Sequence, residues 1–196
     1  MDRCGEIIAT HTTQFIGESY TLHQPPALGS LVEVQPGTDL TVYAVVSFGS
    51  TGGLDPGRRV VRRSTDDAFD ASIYQAHPQL AKTLRTEFSA RLVGYRQGSG
   101  RIRQHLPAQP PPLHFSVVPC GPATVRQFSE TLVYLRLLLN VPGELSPDQL
   151  LAAHIRWVYQ TRGPDEDWLA KAAREVASLL KNDYERLLNV LTMIEA

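Results

Sequence analysis

Four arginines fall within six residues of this chain. Guanidinium groups at this density can bind phosphate or nucleic acid. Four aspartates flank them, however, and alternation along an extended chain divides the arginines between two faces, so no continuous basic stripe forms. We therefore expect a solvated face or salt bridges between subunits, and we predict that the arginines belong to an interaction surface. The arginines are Arg58, Arg59, Arg62 and Arg63, and the flanking acids are Asp55, Asp66, Asp67 and Asp70.

A second basic segment, residues 91–105, contains no acid. Such a segment can follow the phosphate backbone of a nucleic acid. Single strands are also bound by stacking on aromatic rings, and Tyr95 alone offers such a ring here. Nucleic-acid binding is therefore the alternative hypothesis for this protein. Its candidate residues are Arg91, Arg96, Arg101 and Arg103, with His105 beside them.

The remaining reactive residue types do not form a recognisable catalytic or metal-binding pattern. The six histidines show neither H-x-H nor H-E-x-x-H spacing, and the two cysteines are not a C-x-x-C pair, so we predict no metal site. Cys120 precedes a predicted helix, but His114 would lie about 20 Å away along an extended strand. An unreactive thiol is the expectation for Cys120. With no G-x-S-x-G motif either, we predict no catalytic residue and no cofactor.

Length and composition are those of an ordinary globular protein. The chain has 196 residues, of which 42% are hydrophobic and 20% charged, and this size allows one large domain or two small ones. Its net charge of −1 gives no general electrostatic reason to bind nucleic acid or anionic membranes. No apolar run approaches the ~20 residues that span a bilayer, and no signal peptide is evident. We expect no membrane insertion and a cytoplasmic protein with both thiols free.

The first half of the chain is rich in short β-type segments separated by proline and glycine. This spacing predicts a small antiparallel barrel or sandwich. The strand over residues 41–48 is predicted to break at residues 49–53, and Asp55-Pro56-Gly57 fits a type II turn. The predicted strands cover residues 4–11, 12–22, 31–34 and 41–48, and further strands are predicted over 87–95, 101–106 and 113–119.

A helical insertion is predicted at about residues 66–85. The caps at residues 64–66 would start a helix through Ile73, and His77-Pro78 would end it before a short helix carrying Leu80. For residues 87–95 the alternation favours a strand, with a helix propagating from residue 83 as the alternative. The barrel domain would then cover residues 1–119.

From residue 120 onward the hydrophobic spacing changes to the three-and-four pattern of helices. One helix is predicted through the stripe from Val125 to Leu139, a turn at residues 140–143, and a second helix from Pro147 to Gly163. A last helix over residues 168–194, about 40 Å long, would exceed its partners. We predict that part of its stripe, including Leu187 and Leu191, meets another chain. The fold class is therefore α+β: a β-barrel followed by a helical domain over residues 120–196.

Three stretches of the first half resemble the HAS-barrel, the β-barrel named for HerA-like DNA translocases and the ATP synthase. They are GEIIATHTTQFIGES, VYAVVSFGSTGGLDPGRR and IYQAHPQLAKTLRTEFSARLVGY, and the resemblance covers about residues 3–119. In that family the barrel lies at the N-terminus of hexameric ATPases and forms a crown with its neighbours. The resemblance implies a scaffold and docking element that contributes no catalytic residue.

The chain departs from that family in lacking the ATPase core. It has no G-x-x-x-x-G-K-[ST] phosphate loop, and helices are predicted where the core would follow. We therefore expect a standalone barrel that acts as a non-catalytic assembly or docking protein. Its partner would be a ring-forming ATPase, another protein or a second copy of itself. An enzyme with a site assembled from scattered residues is the third possibility.

Overall fold

The fold is an α+β arrangement in which a closed six-stranded antiparallel barrel is followed by helices. The computed structural model describes residues 2–55, 57, 60–139 and 145–195. Neighbouring strands follow the spatial order β1-β2-β5-β4-β3-β6 around the barrel. The strands are β1 Gly5–Thr10, β2 Gln14–Ser19, β3 Leu31–Gly37, β4 Leu40–Gly53, β5 Leu84–Gln97 and β6 Ser116–Pro119.

The helices fall into two groups along the chain. Two lie between β4 and β5: α1 Ser72–Ala76 and the 3₁₀ helix Pro78–Lys82. The others follow β6, and they begin with the proline-started helix α2 Pro122–Phe128 and the 3₁₀ helix Val133–Leu135. The chain then forms α3 Arg136–Leu139, α4 Pro147–Arg162, α5 Glu166–Leu179 and α6 Tyr184–Glu195.

Strand β4 separates two hydrophobic cores. Val42, Ala44 and Val46 fill the barrel interior, whereas Tyr43 and Val45 face outward and are covered by the helices. Residues 41–47 are consequently all buried, as in strands that are covered on both sides. The outer core joins this strand to helices α2 to α6, and the division into domains at residue 119 remains a prediction.

The ring of Phe128 lies at the centre of this junction. Its centroid is 5.0 Å from that of Tyr43 on β4 and 4.9 Å from that of Tyr134. All three rings are fully buried or nearly so. Such pairs add roughly 0.5–1.5 kcal/mol to the burial of their area, and here they connect the barrel to the first helices.

The predicted break of the fourth strand at residues 49–53 is wrong. Strand β4 continues to Gly53, which pairs with Leu84, and Gly49 pairs with Phe88. The ladder formed with β5 holds these small residues in a strand although their own propensity is low. The strand predicted over residues 87–95 is confirmed as part of β5, so the helix considered as its alternative is wrong. Pro56 of the predicted turn lies outside the described residues.

The helix predicted to follow the caps at residues 64–66 begins later than expected. Thr65 Oγ1 accepts a hydrogen bond from the Ala68 N–H at 3.1 Å and closes a local turn. Asp70 then adopts a left-handed backbone with φ of 50°. Helix α1 therefore starts only at Ser72 and ends before His77-Pro78, where an interruption was predicted.

The long final helix predicted over residues 168–194 is two helices, α5 and α6. Asp183 Oδ1 accepts a hydrogen bond from the Arg186 N–H at 3.1 Å, so this aspartate caps the start of α6. The one-residue shift in the hydrophobic stripe corresponds to this break. The prediction that the helix is longer than its partners need is therefore wrong.

The single helix predicted from Val125 to Leu139 is also interrupted, after Phe128. Side chains satisfy the carbonyl groups that are released there. Gln104 donates to the carbonyls of Phe128 and Thr131 at 2.7 and 2.8 Å. This contact draws residues 101–106 toward the helices, so the strand predicted there is reduced to one bridge between Tyr95 and Arg103.

Three other sequence predictions can be placed directly. The last barrel strand predicted over residues 113–119 is present as β6, four residues long. Helix α4 spans Pro147–Arg162 and stops at Gly163, whose φ is 85°, where its end was predicted. The turn predicted at residues 140–143 lies outside the described part of the chain.

Candidate interaction surface

The connection between β4 and β5, residues 54–83, projects beyond the closed part of the barrel. Strand β5 pairs with β2 only between Glu87 and Arg91. Residues 51–53 and 84–86 thus pair only with each other among the described strands, as a two-stranded extension. We call residues 54–83 the insertion. The helical insertion predicted at about residues 66–85 lies within it except for the last two residues, which belong to β5.

Exposed apolar side chains are concentrated on this insertion. The described residues include twelve exposed large hydrophobic side chains, and five of them lie in the insertion, which is about a sixth of the chain. Apolar side chains scattered singly over a surface are normal, but a group of them marks an interaction site. The five are Leu54, Val60, Val61, Phe69 and Tyr74, exposed by between 37% and 63%.

Some of these side chains line a cleft of about 350 Å³. Its walls are largely apolar, and Val60 and Val61 line it together with Gly53 and Leu84 at the outer end of the extension. Arg63 and Asp55 supply the polar part of the wall. The cleft can therefore accept an apolar side chain that carries a charged or polar group beside it. Its other apolar walls are Leu54 and Leu80.

The insertion carries exposed charges of both signs. Arg62 and Arg63 are exposed, and Asp66, Asp67 and Asp70 are exposed shortly after them. None of these five forms an ion pair with another described residue. The predicted site residues Arg58 and Arg59 lie outside the described residues. We name the insertion surface as Leu54, Val60, Val61, Arg62, Arg63 and Phe69, together with the three aspartates.

His23 attaches helix α1 of the insertion to the barrel. Its Nε2 lies 2.5 Å from the Tyr74 hydroxyl, and the two rings meet edge to face. The His23 backbone, in a left-handed conformation with φ of 64°, donates to Thr86 Oγ1 at 2.7 Å. The insertion is therefore held at α1 as well as at its base, and sequence spacing gave no signal for this contact.

The predicted contact residues of the last helix are less exposed than expected. Leu187 is half-buried and packs on the helical core, and Leu191 is half-buried. The exposed apolar residues of α6 are instead Tyr184, at 70%, and Leu188, at 46%. They are four residues apart on one face. Sequence reasoning missed them because it treated α5 and α6 as one helix.

The basic segment does not present four exposed arginines. Arg91 and Arg96 project from the outer face of β5, and the Nε atom of each is buried. Burial lowers the pKa of Arg91 below its ordinary value. Arg101 and Arg103 are exposed, and the Arg103 guanidinium lies 5.9 Å from the centroid of the Tyr95 ring. A nucleic-acid site here would rest on these last two arginines.

The Cys120 thiol is buried beside an acid. Its Sγ lies 3.8 Å from Glu33 Oε2. Burial, with a further contribution from Glu33, raises the pKa of Cys120 well above its ordinary range, which disfavours the reactive thiolate. His114 pairs with Glu6 at 2.7 Å. Over the part of the chain that the structure describes, no cluster of histidine, cysteine and acidic residues could hold a metal ion.

The fold and the insertion surface define an α+β protein with a barrel, a helical layer and a candidate protein-binding surface. No protein-family model matches the sequence, and no curated protein gives a significant match. The closed six-stranded barrel is compatible with the HAS-barrel resemblance but is not specific to it. None of the helices in the described ranges has the length and apolarity needed to cross a membrane.

Proposed function

We propose that this protein is a non-catalytic assembly or docking protein that binds a protein partner through its insertion surface. The observation that supports this most is the group of exposed apolar side chains around the cleft of the insertion. Burying them in a partner would remove apolar area from water. The neighbouring charges would orient the partner and exclude others.

The structure of the surface favours a protein partner over a small ligand or a nucleic acid. Apolar and arginine side chains are both common at the centres of protein interfaces. Three aspartates beside the two described arginines oppose binding of a polyanion. A ring-forming ATPase is a candidate partner through the HAS-barrel resemblance. The cytoplasm remains the proposed compartment, since Cys4 and Cys120 are both free thiols.

The test is affinity capture of the tagged protein from its own cells after mild cross-linking, with partners identified by mass spectrometry. The wild type is compared with the variant V60S/V61S, which removes two exposed apolar side chains. The matched control is L113S/V133S, because these two side chains are similarly exposed elsewhere, at 46% and 45%.

We expect a stoichiometric partner to be captured by the wild type and the control but lost from V60S/V61S. Equal capture by all three proteins would contradict the proposed surface. Capture of no protein, including no second copy, at any cross-linker concentration would contradict the proposed function as a whole.

The alternative function is binding of single-stranded nucleic acid through Arg101 and Arg103. It is favoured by their exposure and by the stacking ring of Tyr95 nearby. Fluorescence anisotropy with labelled single-stranded DNA and RNA at low salt tests it. Binding that weakens with salt and is lost in R101E/R103E would support this function, and no binding at low salt would eliminate it.

A further inference from the structure

We propose that the partner of the insertion surface is a second copy of this chain, with Phe69 of each copy entering the cleft of the other. This inference rests on the proposed function and specifies its partner. It follows from two properties of the insertion surface: its charges are self-complementary, and it carries both an exposed aromatic side chain and a cleft that can receive one.

The charges divide the surface into a basic and an acidic part. Arg62 and Arg63 precede the turn at residues 65–68, and the aspartates lie on that turn and just after it. Neither part is neutralised by an ion pair with another described residue. When two copies meet about a two-fold axis, the basic part of each faces the acidic part of the other, and the same contact is made twice. A copy of this chain is therefore a partner of matching charge.

Phe69 supplies the apolar anchor for the same arrangement. It lies between Asp67 and Asp70 in the sequence and is 61% exposed. Arg63 and Asp55 both lie in the wall of the cleft. In the proposed dimer the partner's acidic turn lies against Arg63, which brings the partner's Phe69 to the cleft. An apolar cavity of ~150 Å³ accommodates benzene, and the cleft of about 350 Å³ is large enough for a phenyl ring. Aromatic side chains that fill pockets often dominate binding.

The surrounding backbone is compatible with such a contact. Residues 60–64 belong to no helix or strand and make no backbone hydrogen bond with other described residues. Residues 60–63 are exposed, so this segment is accessible to solvent and to a partner. Helix α1, which follows this segment, is held to the barrel by the contact between His23 and Tyr74.

The first experiment is sedimentation velocity of the purified full chain from 1 to 500 μM, at low and high salt. We expect a monomer–dimer equilibrium that weakens with salt, since the ionic contacts are exposed. The variant F69A should weaken dimerisation at least ~10-fold, as expected for an anchor residue. The control Y184A removes an aromatic side chain that is 70% exposed on α6 and should leave the equilibrium unchanged.

The second experiment reverses the charge of the basic part in one variant and of the acidic part in another. R62E/R63E and D66R/D67R should each fail to dimerise, because like charges then face each other at both contacts. An equimolar mixture of the two variants should dimerise again. In the mixed dimer one copy is acidic in both parts and the other is basic in both, so opposite charges face each other at both contacts. R101E/R103E changes the net charge by the same amount as R62E/R63E, at exposed arginines outside the insertion, and serves as the control.

These results separate the inference from the function it rests on. A wild-type chain that stays monomeric at 500 μM, or a dimer unaffected by F69A and by both charge reversals, overturns the second-copy proposal. If capture from cells still finds a different protein that V60S/V61S cannot bind, the docking function stands with another partner. If dimerisation depends on Phe69 and is restored in the mixture, both proposals are supported.

Discussion

His154 on helix α4 donates a hydrogen bond from Nδ1 to the carbonyl oxygen of Gly29, across 2.6 Å and 125 positions of sequence. A carbonyl can only accept, so the ring proton lies on Nδ1. Nε2 is then the acceptor for the Tyr134 hydroxyl, which lies 2.8 Å away. All four polar atoms belong to buried residues and are satisfied by one neutral tautomer. This network connects the helical layer to the loop that leads into β3.

The buried imidazole makes folding stability depend on pH. Burial lowers the pKa of His154 to about 4, from 6.5. Between these values the unfolded chain binds the proton more strongly than the folded one, so stability rises with pH from 4 to 6.5 and is lost as pH falls through this window. We expect the His154 contribution to fall by about 2 kcal/mol between pH 7 and pH 5.

Urea denaturation at both pH values measures this effect. H154Q should be less stable than the wild type at pH 7 and should lose less stability between pH 7 and pH 5. H11Q, which removes an exposed histidine, should retain the wild-type difference. An identical pH dependence in the wild type and H154Q would refute the assignment to His154.

At Gly29 the loop before β3 passes close to the backbone of α4. Adding one methyl group there should therefore strongly lower stability. A Cβ at this position would lie 2.7 Å from the Ala153 carbonyl carbon and 2.7 Å from the His154 nitrogen, and the φ of Gly29 is +80°. We expect G29A to lower the free energy of unfolding by ~3 kcal/mol or more, from strain and displacement of α4. G98A is the control, because Gly98 has a positive φ but nothing within 4 Å. It should cost only ~1–2 kcal/mol.

Arg162 holds the junction between α4, α5 and the end of α2. It donates to Ser129 Oγ at 2.9 Å and to Asp165 at 2.8 Å, and its guanidinium lies 5.0 Å from the Trp168 ring centroid. Its side chain is only 13% exposed. Because R162A removes both hydrogen bonds and the packing of the guanidinium on the Trp168 ring, it should cost ~2–3 kcal/mol in denaturant unfolding.

R162K should recover only part of this loss, since lysine lacks the planar fork that reaches Ser129 and Asp165 together. The comparison variant is R186A, which removes an arginine that is 37% exposed and pairs with Asp148. It should cost ~1 kcal/mol or less. Equal losses for R162A and R186A would contradict the role given to Arg162.

The start of α6 depends on the cap formed by Asp183. Its side chain accepts a hydrogen bond from the Arg186 N–H. The N–H groups of the first helical turn have no backbone acceptor within the helix, so this cap satisfies one of them. D183A should destabilise the protein by about 1 kcal/mol, and D183S should retain most of the stability because serine is also a good cap. Thermal unfolding followed by circular dichroism compares the two. A D183A variant as stable as D183S would show that the cap contributes nothing.

The sequence allowed the barrel to be predicted but not the extent of its strands. Alternation along the chain identified most of β4 and β5, and short apolar segments separated by proline and glycine identified β1 to β3. It failed at residues 49–53, because pairing with a strand more than thirty positions away is not visible in local propensity. The insertion was predicted, and the start of α1 was not, since the Thr65 turn competes with helix formation.

Only part of the candidate surface could be predicted from the sequence. The arginine cluster was evident from composition, and Arg62 and Arg63 are indeed exposed. Val60 and Val61 gave no such signal, because an apolar pair in a β-rich region is ordinarily buried. Both valines are exposed because the insertion that carries them projects beyond the closed part of the barrel. The break before α6 likewise determines why Leu188 rather than Leu187 faces solvent.

The burial of β4 on both of its faces has a consequence for the synthesis of this protein. The barrel strands leave the ribosome before the helices that cover Tyr43 and Val45. Until α2 to α5 follow, the nascent chain carries an apolar wall that is open to water and to other chains. Late synthesis is therefore the vulnerable interval for this protein, and a chain terminated there would be a substrate for chaperones or proteases.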